Sequence, residues 1–174
     1  HYEKDLFLAI SHGQHRGILK GGFEDDRINI IRKISTNINL NLFGVYNTNP
    51  IWGNEYFNQL KVCKMGLNLS RGKPIKYYSS DRITSLLGNG ILTFIHSDYH
   101  YQDFLTSDEI VFYKNIEDLN EKLLFYKKND EQRIKISRNG KIKSSEIFNN
   151  KVVSEFILSK ILEKPISKNY NWMR

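Results

Sequence analysis

A single cysteine among 174 residues excludes an internal disulfide. Cys63 has no Cys or His motif beside it, so it belongs to no recognisable metal site, and a reducing compartment, the cytoplasm, is the expected location. Long apolar runs are missing too. Nothing approaches the roughly 20 residues of a membrane-spanning helix, and His1 to Asp5 lack the basic and then apolar pattern of a signal peptide, so a soluble chain is expected. Low-complexity tracts, a mark of disorder, are absent as well. Neither the Gly, Lys and Ser/Thr spacing of a Walker A loop nor the GxGxxG fingerprint occurs, which sets aside simple NTPase and NAD readings. His12, His15, His96 and His100 miss the His and carboxylate spacings of zinc enzymes, so neither metal nor cofactor is expected.

What remains has the composition of a globular protein: 40% hydrophobic, 13% aromatic and 26% charged residues. The length suits one domain with a real core. The chain begins at His1 rather than at a methionine, with its first apolar run at Leu6, so a preceding segment is expected. A formal net charge of +7 favours an anionic partner: nucleic acid, a phospholipid surface or a phosphorylated small molecule.

Short apolar runs alternate with helical spacing. Leu6 to Ile10 reads as a strand that ends at Ser11-His12-Gly13, and Asp25 to Ile34 as a helix with Ile28, Ile31 and Ile34 on one face. Asn39 to Tyr46 is a second strand, stopped by Asn47-Thr48-Asn49-Pro50; a helix over Asn54 to Lys64 and a strand from Met65 to Leu69 follow. Ser79 to Leu87 is a helix ended by Gly88-Asn89-Gly90, and Ile91 to Ile95 and Glu109 to Tyr113 are strands of the kind covered on both faces. From Ile116 onward the spacing is mostly helical. This alternation predicts an α/β, Rossmann-like, doubly wound parallel sheet of about five or six strands with helices on both faces and a helical C-terminal tail.

In such a sheet, ligands bind beyond the carboxyl ends of the strands. The loop His12 to Gly22 has several glycines and the cations Arg16 and Lys20, which would suit a diphosphate; equally, its glycines could only make turns in a solvated loop. The stretch Asn68 to Arg82 is dense in cations and hydroxyls. Ser79 and Ser80 at a helix N-terminus, with Arg71 or Arg82 adding charge, could bind phosphate, with Asp81 capping or holding a hydroxyl. Ser79, Ser80 and Asp81 could also merely cap the helix. Tyr77, Tyr78, Tyr99 and Tyr101 could stack on a base, although burial of at least two is expected. The basic residues Arg133, Lys135, Arg138, Lys141 and Lys143 read as a solvated face that would also attract an acidic membrane.

The order of elements from Met65 to Phe148 (strand with Asn68, loop reaching Arg82, helix ending at Gly90, strand Ile91 to Ile95, run Glu109 to Tyr113) resembles the C-terminal domain of GT-B glycosyltransferases. It is most similar to the spore-maturation-type (CgeB-like) group and its "glycosyl transferases group 1" relatives. Ile116-Glu117-Asp118-Leu119 and Asp130-Glu131-Gln132-Arg133 resemble the closing segments of that family.

The resemblance implies that Arg82 and Gly90 frame a donor site and that Arg16 and Lys20 hold a donor diphosphate. Asn68, Arg71, Tyr78, Ser79, Ser80, Asp81 and Asn89 complete the expected substrate-binding set. The family's glutamate three residues after the arginine is Ser85 here. The implied partners are a nucleotide-diphosphate sugar donor, a saccharide or other acceptor, and a missing N-terminal domain that would bring the acceptor. The rival class is a non-catalytic basic α/β module that binds nucleic acid or another anion.

Overall fold

The computed structural model describes residues 2–10, 26–166 and 170. It holds five parallel strands in the order β2-β1-β3-β4-β5. They are β1 Lys4–Ala9, β2 Leu40–Phe43, β3 Cys63–Asn68, β4 Leu92–His96 and β5 Val111–Tyr113. Helix α1 (Arg27–Ile34) joins β1 to β2, α2 (Gly53–Lys61) joins β2 to β3, and α3 (Asp81–Gly88) joins β3 to β4. Two short 3-10 turns, Ser97–Tyr99 and Tyr101–Asp103, replace a helix between β4 and β5. The tail is helical: α4 (Ile116–Lys128), α5 (Asp130–Ile147) and α6 (Asn150–Ile161). The expected doubly wound sheet is therefore present, at five strands.

Alternation along β1 shows why both faces are covered. Leu6 and Leu8 pack with Met65, Leu67, Leu92 and Phe94 against Ile31 and Ile34 of α1 and Leu119 and Leu123 of α4. Phe7 points the other way, with Cys63, to Leu60 of α2 and Leu86 of α3. Each such side chain contributes about 1.5–3 kcal/mol by leaving water. Gly66 in β3 lets α3 approach, because a Cβ there would collide with the Leu86 side chain. Gly44, at φ +79°, turns the chain after β2, and a Cβ there would fall on the Ile10 carbonyl.

One expectation fails. Arg133 is not on a solvated face: it is 2% exposed, stacks over the Tyr2 ring at 4.7 Å and donates to Asp130 at 3.2 Å and to the Lys64 carbonyl at 3.4 Å. Its planar guanidinium can use all three partners at once, which a lysine could not do. Lys135, Arg138 and Lys141 are exposed as expected, and Lys143 is half-buried.

Candidate functional site

The chain leaves β1 for β2 on one side and returns to β3 on the other, so the order of strands reverses between β1 and β3. Helices on opposite faces diverge there and open a crevice at the carboxyl ends. A cavity of about 450 Å³ occupies this place. Its walls are Ala9 and Ile10 after β1, Pro50 to Gly53 with Tyr56 and Phe57 at the start of α2, and Tyr78 to Arg82 with Ser85 at the start of α3.

Arg82 spans the switch point. Its Nε donates to the Ala9 carbonyl at 3.2 Å and its Nη1 to the Leu69 carbonyl at 3.1 Å, tying the end of β1 to the residue after β3. Among the described residues Nη2 has no partner, so two N–H groups remain for a ligand. Burial lowers the pKa of this guanidinium, against the pull of Tyr56, and Arg27 nearby lowers it further. An anion placed here would relieve a half-buried cation that, among the described residues, has no carboxylate bound to it.

Neither helix that opens at the cavity is capped by a side chain. At α2 the cap position holds Trp52, which cannot accept from a backbone N–H and is 65% exposed at the mouth. At α3 the Ser80 backbone is extended as a cap should be, yet its hydroxyl makes no cap bond and donates instead to Asn68 Oδ1 at 2.9 Å. Among the described residues, the first N–H groups of both helices thus have no side-chain acceptor, at the positive ends of the helix dipoles. The loop before α3 is fixed from behind: Tyr77 N–H donates to the Tyr99 carbonyl at 2.9 Å, the Tyr77 hydroxyl to Asp103, and the Tyr101 hydroxyl to the Tyr78 carbonyl at 3.5 Å.

Two buried polar groups are unmet, one in the wall of this cavity and one behind it, toward the second cavity. Tyr56 Oη is buried; burial raises its pKa, while the charge of Arg82 and then a hydroxyl contact with Ser85 oppose that rise. Asn68, 0% exposed at the end of β3, uses its oxygen for Ser80 but leaves Nδ2 without a partner. A buried polar group left unmet costs about 1–3 kcal/mol.

Of the expected binding residues, Tyr78, Ser79, Ser80, Asp81 and Arg82 come together in this cavity, and Asn68 stands behind them. Arg16 and Lys20 lie outside the described residues. Arg71 is exposed and lines neither principal cavity. Asn89 and Gly90 sit at the opposite end of α3, where Asn89 Nδ2 donates to the Ser85 carbonyl at 2.7 Å and Gly90 turns the chain at φ +70°. The eight residues of α3 separate them from its open N-terminus, roughly 12 Å of helix. Of the loop tyrosines, Tyr99 and Tyr101 are buried, as expected for two, and Tyr77 and Tyr78 are exposed. Trp52, Tyr56 and Phe57 were not anticipated, although they follow β2 and so obey the same rule of loops after strands.

A second, larger cavity of about 800 Å³ lies beyond β3, β4 and β5 and includes Lys33, Asn68, His96, Tyr113 and Lys114. Its charge is partly matched within the fold, since Lys33 pairs with Glu117 at 3.6 Å. Size favours this second cavity, but the switch point, the open helix ends and Arg82 all favour the first. Among the described residues no three His, Cys, Asp or Glu side chains gather to hold a metal, and no helix is long and apolar enough to cross a membrane.

The comparisons with known proteins bear on the fold and the family. No curated protein matches the chain. Among solved structures, it is similar to the C-terminal domain of a glycosyl transferase group 1 family protein (LpcC) from Francisella tularensis, with a TM-score of 0.51 and 9% identity. The match covers 71% of this chain and 60% of that one, a likeness of fold. The profile of the family described as glycosyl transferase-like matches residues 27–158, most of the chain. The chain therefore belongs to the glycosyl transferase-like family and carries the Rossmann-like fold of a GT-B C-terminal domain.

Proposed function

We propose that the cavity at the switch point receives a nucleotide-diphosphate sugar and that residues 1–174 form one domain, the donor-binding half of a longer two-domain transferase. The observation that carries this reading is the convergence of two uncapped helix N-termini with the free Nη2 of Arg82 on one cavity. Helix N-termini with open N–H groups hold phosphate oxygens. Asp81, exposed in the first turn of α3, is placed to accept from a sugar hydroxyl, and Trp52 and Tyr78 offer aromatic faces at the mouth. Arg16 and Lys20, which follow β1 in the sequence, would add charge at the diphosphate.

In the transfer step, the bond from the anomeric carbon to the diphosphate breaks and an acceptor oxygen takes its place. Negative charge gathers on the leaving diphosphate, and fixed positive groups stabilise it without a metal. The acceptor, a saccharide or another hydroxyl-bearing molecule, and any catalytic base would come with the second, N-terminal domain. The expected setting is the cytoplasm, with peripheral membrane contact through the exposed cations of α5, and the expected product is a polysaccharide or other glycan.

Calorimetric titration with UDP, GDP, ADP, CMP and a short DNA duplex tests this reading. Saturable binding of one nucleoside diphosphate, weakened at least tenfold by Arg82→Ala and by Lys20→Ala, supports it. Salt-sensitive DNA binding without nucleotide binding would establish the basic module instead.

A further inference from the structure

Where the other three crossovers of the sheet use an α-helix, the connection from β4 to β5 uses the 3-10 turns Ser97–Tyr99 and Tyr101–Asp103. None of these residues lines the switch-point cavity. They hold the loop that leads into it.

Residues 75–78 of that loop make a turn, closed by the Tyr78 N–H on the Ile75 carbonyl at 3.0 Å, and Tyr77 stands third in it at φ +61°. A third turn residue with positive φ is usually glycine or asparagine, because a Cβ there is crowded by the backbone. A tyrosine keeps such a conformation only where the surrounding structure imposes it. Here the β4–β5 connection does so through three contacts. The Tyr77 N–H donates to the Tyr99 carbonyl at 2.9 Å, its hydroxyl donates to Asp103, and its ring lies against Phe104 with centroids 5.1 Å apart. His100, between the two 3-10 turns, is itself left-handed at φ +56°, so the contact joins two segments that each carry a strained residue.

The position of this turn matters for the cavity. Tyr78, the next residue, already belongs to the cavity wall, and Ser79 to Arg82 follow it without a break. Beyond them α3 is fixed on the sheet, with Leu86 against Gly66. A change of φ at Tyr77 therefore redirects Tyr78 and Ser79 while α3 stays in place.

We infer that Tyr77 and Asp103 are positioning residues for the donor site: their bond keeps the strained turn in the conformation that aims Tyr78 and Ser79 at the nucleotide. The inference rests on the proposed donor site, and neither residue lines it. Without the bond, the turn relaxes to negative φ in a share of the molecules, and apparent affinity falls with the fraction that stays competent.

Tyr77→Phe keeps the ring beside Phe104 and removes only the hydroxyl. Asp103→Ala removes the acceptor, whereas Asp103→Asn retains an oxygen that can accept. Affinities for UDP, GDP and ADP are measured by calorimetry on the full chain and on each variant, alongside melting temperatures and the ¹⁵N-resolved amide positions of the free proteins. Tyr77→Phe and Asp103→Ala are expected to bind about fivefold more weakly, and the double variant no more weakly than either. Asp103→Asn is expected to bind within about twofold of the unmodified chain. The amides of Tyr78 to Ser80 should move in Tyr77→Phe before any ligand is added. A bond that served stability alone would lower the melting temperature and leave the affinity of the folded protein unchanged; that result overturns this inference and leaves the donor site standing. Failure of the unmodified chain to bind any nucleotide overturns both.

Discussion

Helices α3 and α4 both follow strands of one sheet, α3 after the loop that leaves central β3 and α4 directly after edge strand β5, yet they finish their N-termini in opposite ways. At α4, Asn115 accepts from the Asp118 N–H at 2.8 Å and Asp118 returns the favour by accepting from the Lys114 N–H at 2.9 Å, so the helix end is closed by its own side chains. At α3 the serine at the cap position turns to Asn68 and leaves the helix end open. α6 is closed like α4, by Asn149 on the Val152 N–H at 2.9 Å. α1 and α2 are open like α3, while α5, which follows α4 after one residue, also has no side-chain cap. The two helices that start at the switch-point cavity, α2 and α3, forgo a local stabilisation of about 1 kcal/mol each, whereas α4, whose start lines the second cavity, keeps it. That is the arrangement expected of a site pre-organised for an anion.

The contrast can be broken from both sides. The largest effect is expected from Arg82→Ala, which strips the Ala9 and Leu69 carbonyls of their donor and empties volume at the switch point. A loss of about 2–4 kcal/mol in urea unfolding should accompany loss of nucleotide binding. Next come the two caps, compared directly. Asn115→Ala should cost about 1 kcal/mol and leave nucleotide affinity unchanged within twofold. Ser80→Ala should cost a similar ~1–2 kcal/mol, but through Asn68, whose buried amide would lose its remaining bond, and it should also lower nucleotide affinity. Equal effects of both variants on binding would erase the distinction between the two helix ends.

Two pH dependences sharpen it further. Burial pushes the Cys63 thiol up from 9.0 to about 11. The unfolded chain therefore loses this proton first, and stability that is complete below pH 9 should fall between pH 9 and 11, less steeply in Cys63→Ala. At the closed end of α4, burial acts to raise the Asp118 carboxyl, but the bonds from Lys122 and from the Lys114 N–H outweigh it and hold the pKa below its ordinary value. Its contribution is present above the ordinary carboxylate range and is lost as the pH falls below about 4. Urea midpoints at pH 3, 4 and 7 should show a smaller acid loss for Asp118→Asn than for the unmodified chain.

Much of this molecule could be read along the chain. Strands with both faces covered, such as Leu92 to His96, are nearly all apolar, and Gly88-Asn89-Gly90 ends α3 where the turn chemistry requires it. The site was legible only where its parts are contiguous. Tyr78 to Arg82 stood out, but Arg82's partners Ala9 and Leu69 lie 73 and 13 residues away, and no local pattern announces them. Ser80 looks like a helix cap and acts as a donor to Asn68, because a buried amide 12 residues earlier competes for its hydroxyl. Arg133 sits among lysines at helical spacing; only the fold brings Tyr2 and the Lys64 carbonyl to it. Trp52 and Tyr56 gain meaning once α2 and α3 lie side by side over β1 and β3.

The central claim is that open helix ends at the switch point hold a nucleotide diphosphate, and an ¹⁵N-resolved NMR titration with UDP, GDP and ADP tests it residue by residue. Saturable shifts of the Gly53 to Tyr56 and Asp81 to Ile83 amides are expected with one nucleotide, while Ile116 to Asp118 at the closed end of α4 stay in place. Shifts confined to the basic surface of α5, or none at the two open ends, would contradict it.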